Sequence, residues 1–282
     1  QGKGGHNRGK NFGADFYNSF KKGIDLTGGY SGSDNESYSA SLTREDYFPS
    51  ESYQSKIFNN ESHSWSESSN HSVTTRFNYE INEKNRINFS PSFSFRKSDS
   101  RSIRLGSSIQ DNDTLNITNA KNQNHNESYS FGGNFSWMHG FAKQGRTLTL
   151  NGNINVNNSK SNGIQQDSSI INKKDTLRNL INSTKSFSNS LTSSVSYSEP
   201  LTEHARLSFN YSLSYNQDES DKESISYKDA LFTEVIGVDS SLTNKISNTR
   251  INNSIGINYN YYKEKFTFNG GGSINISREE NK

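Results

Sequence analysis

Residues 207–216 read LSFNYSLSYN, and in this stretch apolar or aromatic residues alternate strictly with polar ones. Leu207, Phe209 and Tyr211 fall on one phase, whereas Ser208 and Asn210 fall on the other. A helix would scatter both sets around its circumference, but a β-strand points successive side chains to opposite faces. The stretch therefore predicts a long strand with one apolar face and one polar face.

The same two-residue period recurs along the chain and makes the predicted fold all-β. It is clearest in four further segments, at residues 12–17, 73–81, 148–156 and 255–276. The polar phase consists mostly of Ser, Asn, Thr and Gly. Two exceptions are predicted: a short helix at residues 227–235, and a β-bulge at Pro91, because proline cannot donate a hydrogen bond to a neighbouring strand.

The connections between the predicted strands fall into two classes. Short polar turns are expected at residues 21–23, 82–85, 142–145, 199–204 and 263–265, about 60 residues apart. Long loops rich in Ser, Asn, Asp and Lys are expected at residues 34–66, 99–125, 158–184 and 217–248. In an antiparallel up-and-down meander of about ten long strands, this alternation places the short turns at one end and the long loops at the other.

The composition excludes several classes of protein. Only 28% of the 282 residues are hydrophobic, yet the chain has 14 Tyr and 17 Phe, whereas disordered chains are poor in aromatic residues. A formal net charge of +2 gives no field that would attract nucleic acid, and the absence of Cys excludes disulfides and thiolate metal sites. Since no apolar run approaches the ~18 residues of a transmembrane helix, any membrane span has to be made of strands.

No pattern of catalytic or metal-binding residues stands out. The six His form no HExxH or HxH pair, and no GxSxG motif is present. We therefore expect a protein that is not an enzyme and that binds no cofactor or metal. The first ten residues, QGKGGHNRGK, are predicted to form a glycine-rich loop and lack the apolar stretch of an export signal, so we expect the natural N-terminus upstream.

Long strands with one apolar and one polar face, joined alternately by short turns and long loops, are typical of outer-membrane β-barrels. Each strand of such a barrel crosses the membrane in ~9–11 residues at a tilt of ~45°. Residues of the apolar phase are expected to face lipid, namely Phe77, Tyr79, Phe93, Phe95, Phe135, Trp137, Leu148, Leu150, Ile154, Val195, Tyr197, Leu207, Phe209, Tyr211, Leu213, Ile255, Ile257, Tyr259, Phe266 and Phe268. On the polar phase, Arg76, Glu80 and Arg96 are expected to be charges of the lumen.

Several aromatic residues of the apolar phase lie within a few positions of the short turns. An aromatic ring with a polar atom is favoured at the level of the lipid headgroups, where barrels carry girdles of such residues. We expect an interfacial girdle at one end of the sheet, formed by Tyr79, Trp137, Tyr197, Tyr259 and Tyr261.

Three blocks of the sequence carry a family resemblance. They are NRINFSPSFSFRKSDSRS at residues 85–102, GRTLTLNGNINVNN at residues 145–158 and SYSEPLTEHARLSFNYSLSYNQDESDK at residues 196–222. In their order and spacing they resemble the outer-membrane β-barrel family of Bacteroidetes, which is similar to TonB-dependent receptors. The resemblance implies localisation in the bacterial outer membrane and uptake of a solute, with energy passed through TonB to a plug domain of the full-length protein.

Residues 1–282 are then expected to form a single, incomplete barrel segment that lacks the plug domain and the remaining strands. Such a segment should be an open sheet with unpaired edges near Phe12 and Ile274, because only closure of a barrel removes the edges. The alternative that the residues leave open is a secreted or surface-exposed β-rich adhesin or glycan-binding protein. An outer-membrane enzyme is disfavoured, since no catalytic constellation is visible.

Overall fold

The computed structural model of the protein describes residues 2–20, 23–52, 55–111, 113–171 and 174–282, and within them the chain forms eleven β-strands. No helix in these ranges could span a membrane. The strands are β1 (Gly2–Phe20), β2 (Ile24–Tyr47), β3 (Lys56–Asn82), β4 (Asn85–Gln110), β5 (Asp113–Gly140), β6 (Thr147–Ile171), β7 (Lys174–Pro200), β8 (Ala205–Tyr227), β9 (Val235–Val238), β10 (Asn244–Lys263) and β11 (Phe266–Asn281).

All the strands belong to one antiparallel sheet, and each pairs with its neighbours in sequence. The order is β1 to β8, then β10 and β11, while the short β9 pairs with the end of β8. This arrangement confirms the predicted all-β, up-and-down meander, with ten strands along the main path of the sheet. The register is regular over long distances: β6 and β7, for example, pair without a break from Thr147 opposite Ser198 to Ile171 opposite Lys174.

The sheet is not closed. Among the described residues, β1 pairs only with β2, and β11 pairs only with β10. The predicted open sheet with edges at Phe12 and Ile274 is therefore confirmed. Each edge leaves a row of backbone N–H and C=O groups without a partner strand, and such rows are templates for pairing with another strand.

The short turns lie where the sequence predicts them, but the long loops do not exist as loops. The described residues of 34–66, 99–125, 158–184 and 217–248 lie mostly within strands, since β2 continues to Tyr47, β4 to Gln110, β6 to Ile171 and β8 to Tyr227. The predicted loop at residues 1–10 is likewise replaced, from Gly2 onward, by β1. Of the first predicted turn, residues 21 and 22 lie outside the described residues.

The strands extend into the predicted loops for a physical reason. Residues 61–70 read ESHSWSESSN, and apart from Trp65 they are polar on both phases, so no apolar period reveals a strand. Backbone hydrogen bonds need no apolar side chain, and these residues pair one by one with both β2 and β4. Side chains add cross-strand bonds, such as the contact of 2.9 Å between the hydroxyls of Ser41 and Ser62.

The two predicted exceptions are also wrong. Residues 227–235 form no helix because the Asp229 carboxylate accepts hydrogen bonds from the backbone N–H groups of Leu231, Thr233 and Glu234, which closes a tight turn instead. Pro91 causes no bulge: pairing with β3 lapses beside it, but the register on either side is the same, and Pro91 stays opposite Gly133 of β5. The register shifts at two other places, Glu80/Asn82 and Ser108/Ile109.

Very little of the chain is buried. Leu180 and Ala205 are the buried hydrophobic residues of the described chain. Leu180 is the cross-strand partner of Ser226. Ser224, two residues away on β8, is also buried: its backbone N–H donates to the Thr243 hydroxyl and its own hydroxyl donates to Asn182. The described residues include no second sheet or helix that could cover either face, so both faces of this single layer meet the surroundings.

Two glycines of β2 make room for aromatic rings of the edge strand β1. The Phe16 ring lies over Gly28, its cross-strand partner, and the Phe12 ring lies over Gly32. A Cβ atom at either glycine would overlap the ring. Covering a glycine with an aromatic side chain of the neighbouring strand stabilises the edge of a sheet.

We predict that Gly28→Ala displaces the Phe16 ring and weakens the pairing of β1, because the added methyl group overfills the site at a cost of about 1–3 kcal/mol. Hydrogen–deuterium exchange of the full-length protein should become faster at residues 12–20. Gly4→Ala in β1 is the matched control, since nothing lies within 4 Å of a Cβ atom there. Equal exchange in the two variants would contradict the role given to Phe16.

Candidate functional site

One face of the sheet, which we call the apolar face, collects the apolar side chains of all ten main strands. Tyr211 of β8 lies directly opposite Val195 on one side and Ile255 on the other. Continued through every register, this row contains Phe20, Ile24, Tyr79, Ile87, Trp137, Leu150, Val195, Tyr211, Ile255 and Ile274. A single row across the whole sheet is therefore apolar.

Every residue predicted to face lipid lies on this face, because each is an even number of residues from the Tyr211 row along its strand. Many are exposed: Phe209 is 45% exposed and Ile255 is 61% exposed. Further members of this face that the predicted lipid-facing set did not include are Phe16, Leu26, Phe89, Phe131 and Leu191. Their alternation with polar residues could have revealed them.

The apolar rows form a band near the short turns. On β7 the band covers residues 187–197, from Phe187 to Tyr197. At ~3.3 Å per residue, this stretch is about 36 Å long, and a tilt of ~45° would give it a height of about 26 Å. That estimate matches the apolar belt of outer-membrane barrels, which is ≈ 25 Å tall.

The aromatic residues proposed as a girdle lie together at the short-turn end of the band. Tyr79 and Trp137 belong to the Tyr211 row, and Tyr197, Tyr259 and Tyr261 lie within the next rows toward the turns. His139 and Phe141 extend this group, since the Trp137 and His139 rings are 6.0 Å apart.

The opposite face, which we call the polar face, is covered by hydroxyl and amide groups that bond across strands. Ser130 donates a hydrogen bond to Asn157 at 2.8 Å, and Ser196 donates one to Asn210 at 2.7 Å. On β6 this face carries no charge over residues 147–159, where its side chains are Thr147, Thr149, Asn151, Asn153, Asn155, Asn157 and Ser159. The centre of the polar face is therefore wettable and electrically neutral.

The three charges predicted for the lumen lie on the polar face, but the structure does not bring them together. Glu80 pairs instead with Arg86, its cross-strand partner, at 2.5 Å. Arg76 lies further along β3, and Arg96 lies on β4 opposite Asn70. The sequence reading missed Arg86, although the turn between Asn82 and Asn85 places it opposite Glu80.

A charged cluster at the short-turn rim, outside the apolar band, was also missed by the sequence reading. Glu199 accepts two hydrogen bonds from Arg146, at 2.6 and 2.9 Å, one from Lys143 at 2.7 Å and one from Tyr197 at 2.7 Å. The bonds from Arg146, then those from Lys143 and Tyr197, lower the pKa of the Glu199 carboxyl to about 2. The cluster joins the β5–β6 turn to the end of β7.

Beyond the band on its other side, His125 connects two acids on the apolar face. Its Nδ1 atom is 2.6 Å from Asp99, and its Nε2 atom is 3.2 Å from Glu127. These hydrogen bonds, first that of Asp99 and then that of Glu127, raise the pKa of His125 above its ordinary value, because both favour the protonated ring. No group of three metal-binding side chains occurs in the part of the chain that the structure describes.

We predict that the Glu199 cluster makes the protein sensitive to acid. The pKa of Glu199 is lowered, so its stabilising contribution is present above pH 4.5 and is lost as the pH falls toward about 2. The midpoint of thermal unfolding of the full-length protein should fall over this window, and Glu199→Gln should lower it at neutral pH and reduce its acid sensitivity. Glu203→Gln in the adjacent turn is the control. The same acid sensitivity in Glu199→Gln and wild type would contradict the prediction.

No protein-family model matches this chain, and no curated protein shows significant similarity to it. The functional expectation therefore rests on the two faces of the sheet. One face offers a band of apolar and aromatic side chains, and the other offers neutral hydroxyl and amide groups with a few charges at its margins.

Proposed function

We propose that this chain is a segment of a bacterial outer-membrane transport barrel similar to those of TonB-dependent receptors, and that it serves uptake of a solute. The observation that carries the proposal is the row of apolar side chains through Tyr211, which crosses ten strands and is covered by nothing in the described chain. Lipid acyl chains would cover this row.

The two faces need different surroundings. Apolar surface that stays in water lacks the stabilisation of about 25 cal/mol per Å² that burial would give. The apolar face is therefore stable only in surroundings that exclude water. The Ser and Asn side chains of the polar face would be costly to place in hydrocarbon, and water suits them. A sheet between lipid and a water-filled lumen meets both needs, as in outer-membrane barrels.

The edges of the sheet fit the same proposal. Within hydrocarbon, each unsatisfied backbone group costs several kcal/mol, so β1 and β11 would need partner strands there. We assign those partners to further strands of the same barrel. Together with the lipid, they would leave no edge of this segment exposed.

Transport in such a barrel would take place along the polar face. Its neutral centre would let a hydrophilic solute pass, and the charges of Arg76, Arg96 and the Glu80–Arg86 pair would contact either the solute or a plug domain. In this proposal the plug and TonB are partners of the full-length protein, and nucleic acid is not.

We predict that Ile154→Arg severely impairs membrane assembly, whereas Asn155→Arg is tolerated. The two residues are neighbours on β6 but belong to opposite faces, and Ile154 pairs with Leu191 in the middle of the band. Arginine facing lipid at this depth costs about 2–4 kcal/mol, whereas arginine in a wet lumen does not. Heat-dependent gel mobility of the outer-membrane fraction measures assembly, and equal effects of the two substitutions would refute the lipid-facing assignment.

A second prediction concerns topology. Because the chain has no Cys, single cysteines placed at Glu51 and at Lys263 can be probed with a membrane-impermeant thiol reagent on intact cells. We expect labelling at Glu51, on the side of the long strand extensions, and protection at Lys263 beside a short turn. Labelling of Lys263 alone would invert the orientation. Release of the protein into the medium, with both sites labelled, would favour the secreted adhesin or glycan-binding protein.

A further inference from the structure

We propose that Lys160 and Lys185, helped by Lys97 and Lys245, bind the phosphate groups of anionic lipids whose acyl chains cover the apolar face. We call these four residues the lysine row. The inference rests on the proposed function, since it needs the apolar band to lie in a membrane, and it adds a lipid-binding site with a stated headgroup chemistry.

The lysine row lies at the boundary of the apolar band. Its members share one row across the sheet, which reads Lys97, Glu127, Lys160, Lys185, Asp221 and Lys245 from β4 to β10. The row below it, toward the band, contains Phe95, Tyr129 and Phe187. The lysines therefore lie one row beyond Phe95, Tyr129 and Phe187, at the level where the headgroups of a bilayer would lie. Glu219 of β8 belongs to the same row as these aromatic residues, and Tyr38 and Trp65 lie two rows beyond the lysines on the same face.

Lys160 and Lys185 are direct cross-strand partners. Directly opposed residues have Cβ atoms about 4.5–5.5 Å apart, and like charges in such pairs are destabilising. Among the described residues, neither lysine has a carboxylate within 4.0 Å of its ammonium group, unlike the ion-paired cations elsewhere in the sheet. Two adjacent ammonium groups without an acidic partner suit a phosphate, because one phosphate would neutralise both of them.

Acidic residues also lie beside the lysine row, although none of those in the described chain forms an ion pair with Lys160 or Lys185. Glu127 lies opposite Lys160, but its carboxylate accepts a hydrogen bond from His125 at 3.2 Å. On β8, Glu219, Asp221 and Glu223 face Lys185 from its other side. The row from β4 to β10 itself has four lysines and two carboxylates, a formal charge of +2, and the adjacent rows add the carboxylates of Asp99, Glu219 and Glu223. A phosphate is therefore favoured by the adjacent Lys160 and Lys185 and not by the net charge of the patch.

A groove beside Lys185 offers space for a headgroup. It measures about 650 Å³ and is lined by Phe187 toward the band and by Lys185 and Lys245 beyond it, with Glu219 and Asp221 between the two lysines. The flexible stem of a lysine can lie along apolar surface while its ammonium group reaches a polar layer. The groove therefore offers both an apolar contact for an acyl chain and cations for the phosphate.

The test compares the full-length protein in vesicles of phosphatidylcholine alone with vesicles of phosphatidylcholine and phosphatidylglycerol in equal amounts. The measurement is the unfolding midpoint, taken from heat-dependent gel mobility. We expect phosphatidylglycerol to raise the midpoint of wild type, with less effect at high salt. Lys160→Gln/Lys185→Gln should lose most of this rise, although it should fold, since it removes a repulsive pair.

Lys121→Gln is the matched control. Lys121 is exposed and lies on the same face, but six residues beyond Glu127 on β5 and thus away from the band. It should keep the full effect of phosphatidylglycerol. An equal rise in wild type and in the double variant, or no rise in wild type, would overturn the inference while leaving the proposed function intact.

Two further measurements distinguish failure of the lipid assignment from failure of the proposed function. Inorganic phosphate added to wild type in phosphatidylcholine vesicles should not reproduce the rise, and if it does, the site binds free phosphate and the lipid assignment is wrong. Failure of wild type to insert into either kind of vesicle would refute the proposed function itself, and the lysine row would then have no lipid to bind.

Discussion

The register of the backbone hydrogen bonds is the constraint on which everything else in this structure depends. Because side chains alternate between the faces, a slip of one residue in any strand pair would move that strand's apolar residues onto the polar face. The two register shifts, at Glu80/Asn82 and Ser108/Ile109, lie within the last residues of β3 and β4. The ten strands can therefore keep one common apolar row although the sheet has no packed core to align them.

A single layer of this kind has to obtain its stability from what surrounds it. The rim cluster of Glu199 fixes the short-turn end, and the hydroxyl–amide pairs of the polar face bond neighbouring strands where no apolar contact exists. Neither can replace the burial of apolar surface, which is the dominant favourable contribution to folding. In the proposed setting the lipid supplies that burial, and the lysine row marks where its headgroups begin.

The sequence predicted those parts of the fold in which two chemically different phases alternate. The strand containing LSFNYSLSYN and the short turns were found because apolar residues mark the strands and end at the turns. The sequence prediction failed at ESHSWSESSN, where Trp65 is the one apolar residue, and at residues 227–235, where the local hydrogen bonds of Asp229 outweigh a helical composition. The polar pairing of Glu199 with Lys143 and Arg146 joins residues far apart in sequence, so only the register of β6 and β7 reveals it.

The long strands extend far beyond the apolar band. On β5, residues 113–128 continue beyond the band, which is about 53 Å of chain at ~3.3 Å per residue. In the proposed orientation, the part outside the membrane is thus a stiff wall of paired backbone. Proteases cleave exposed, unpaired chain most readily, so such a wall offers them few sites. A solute would meet a rigid rim well above the lipid surface.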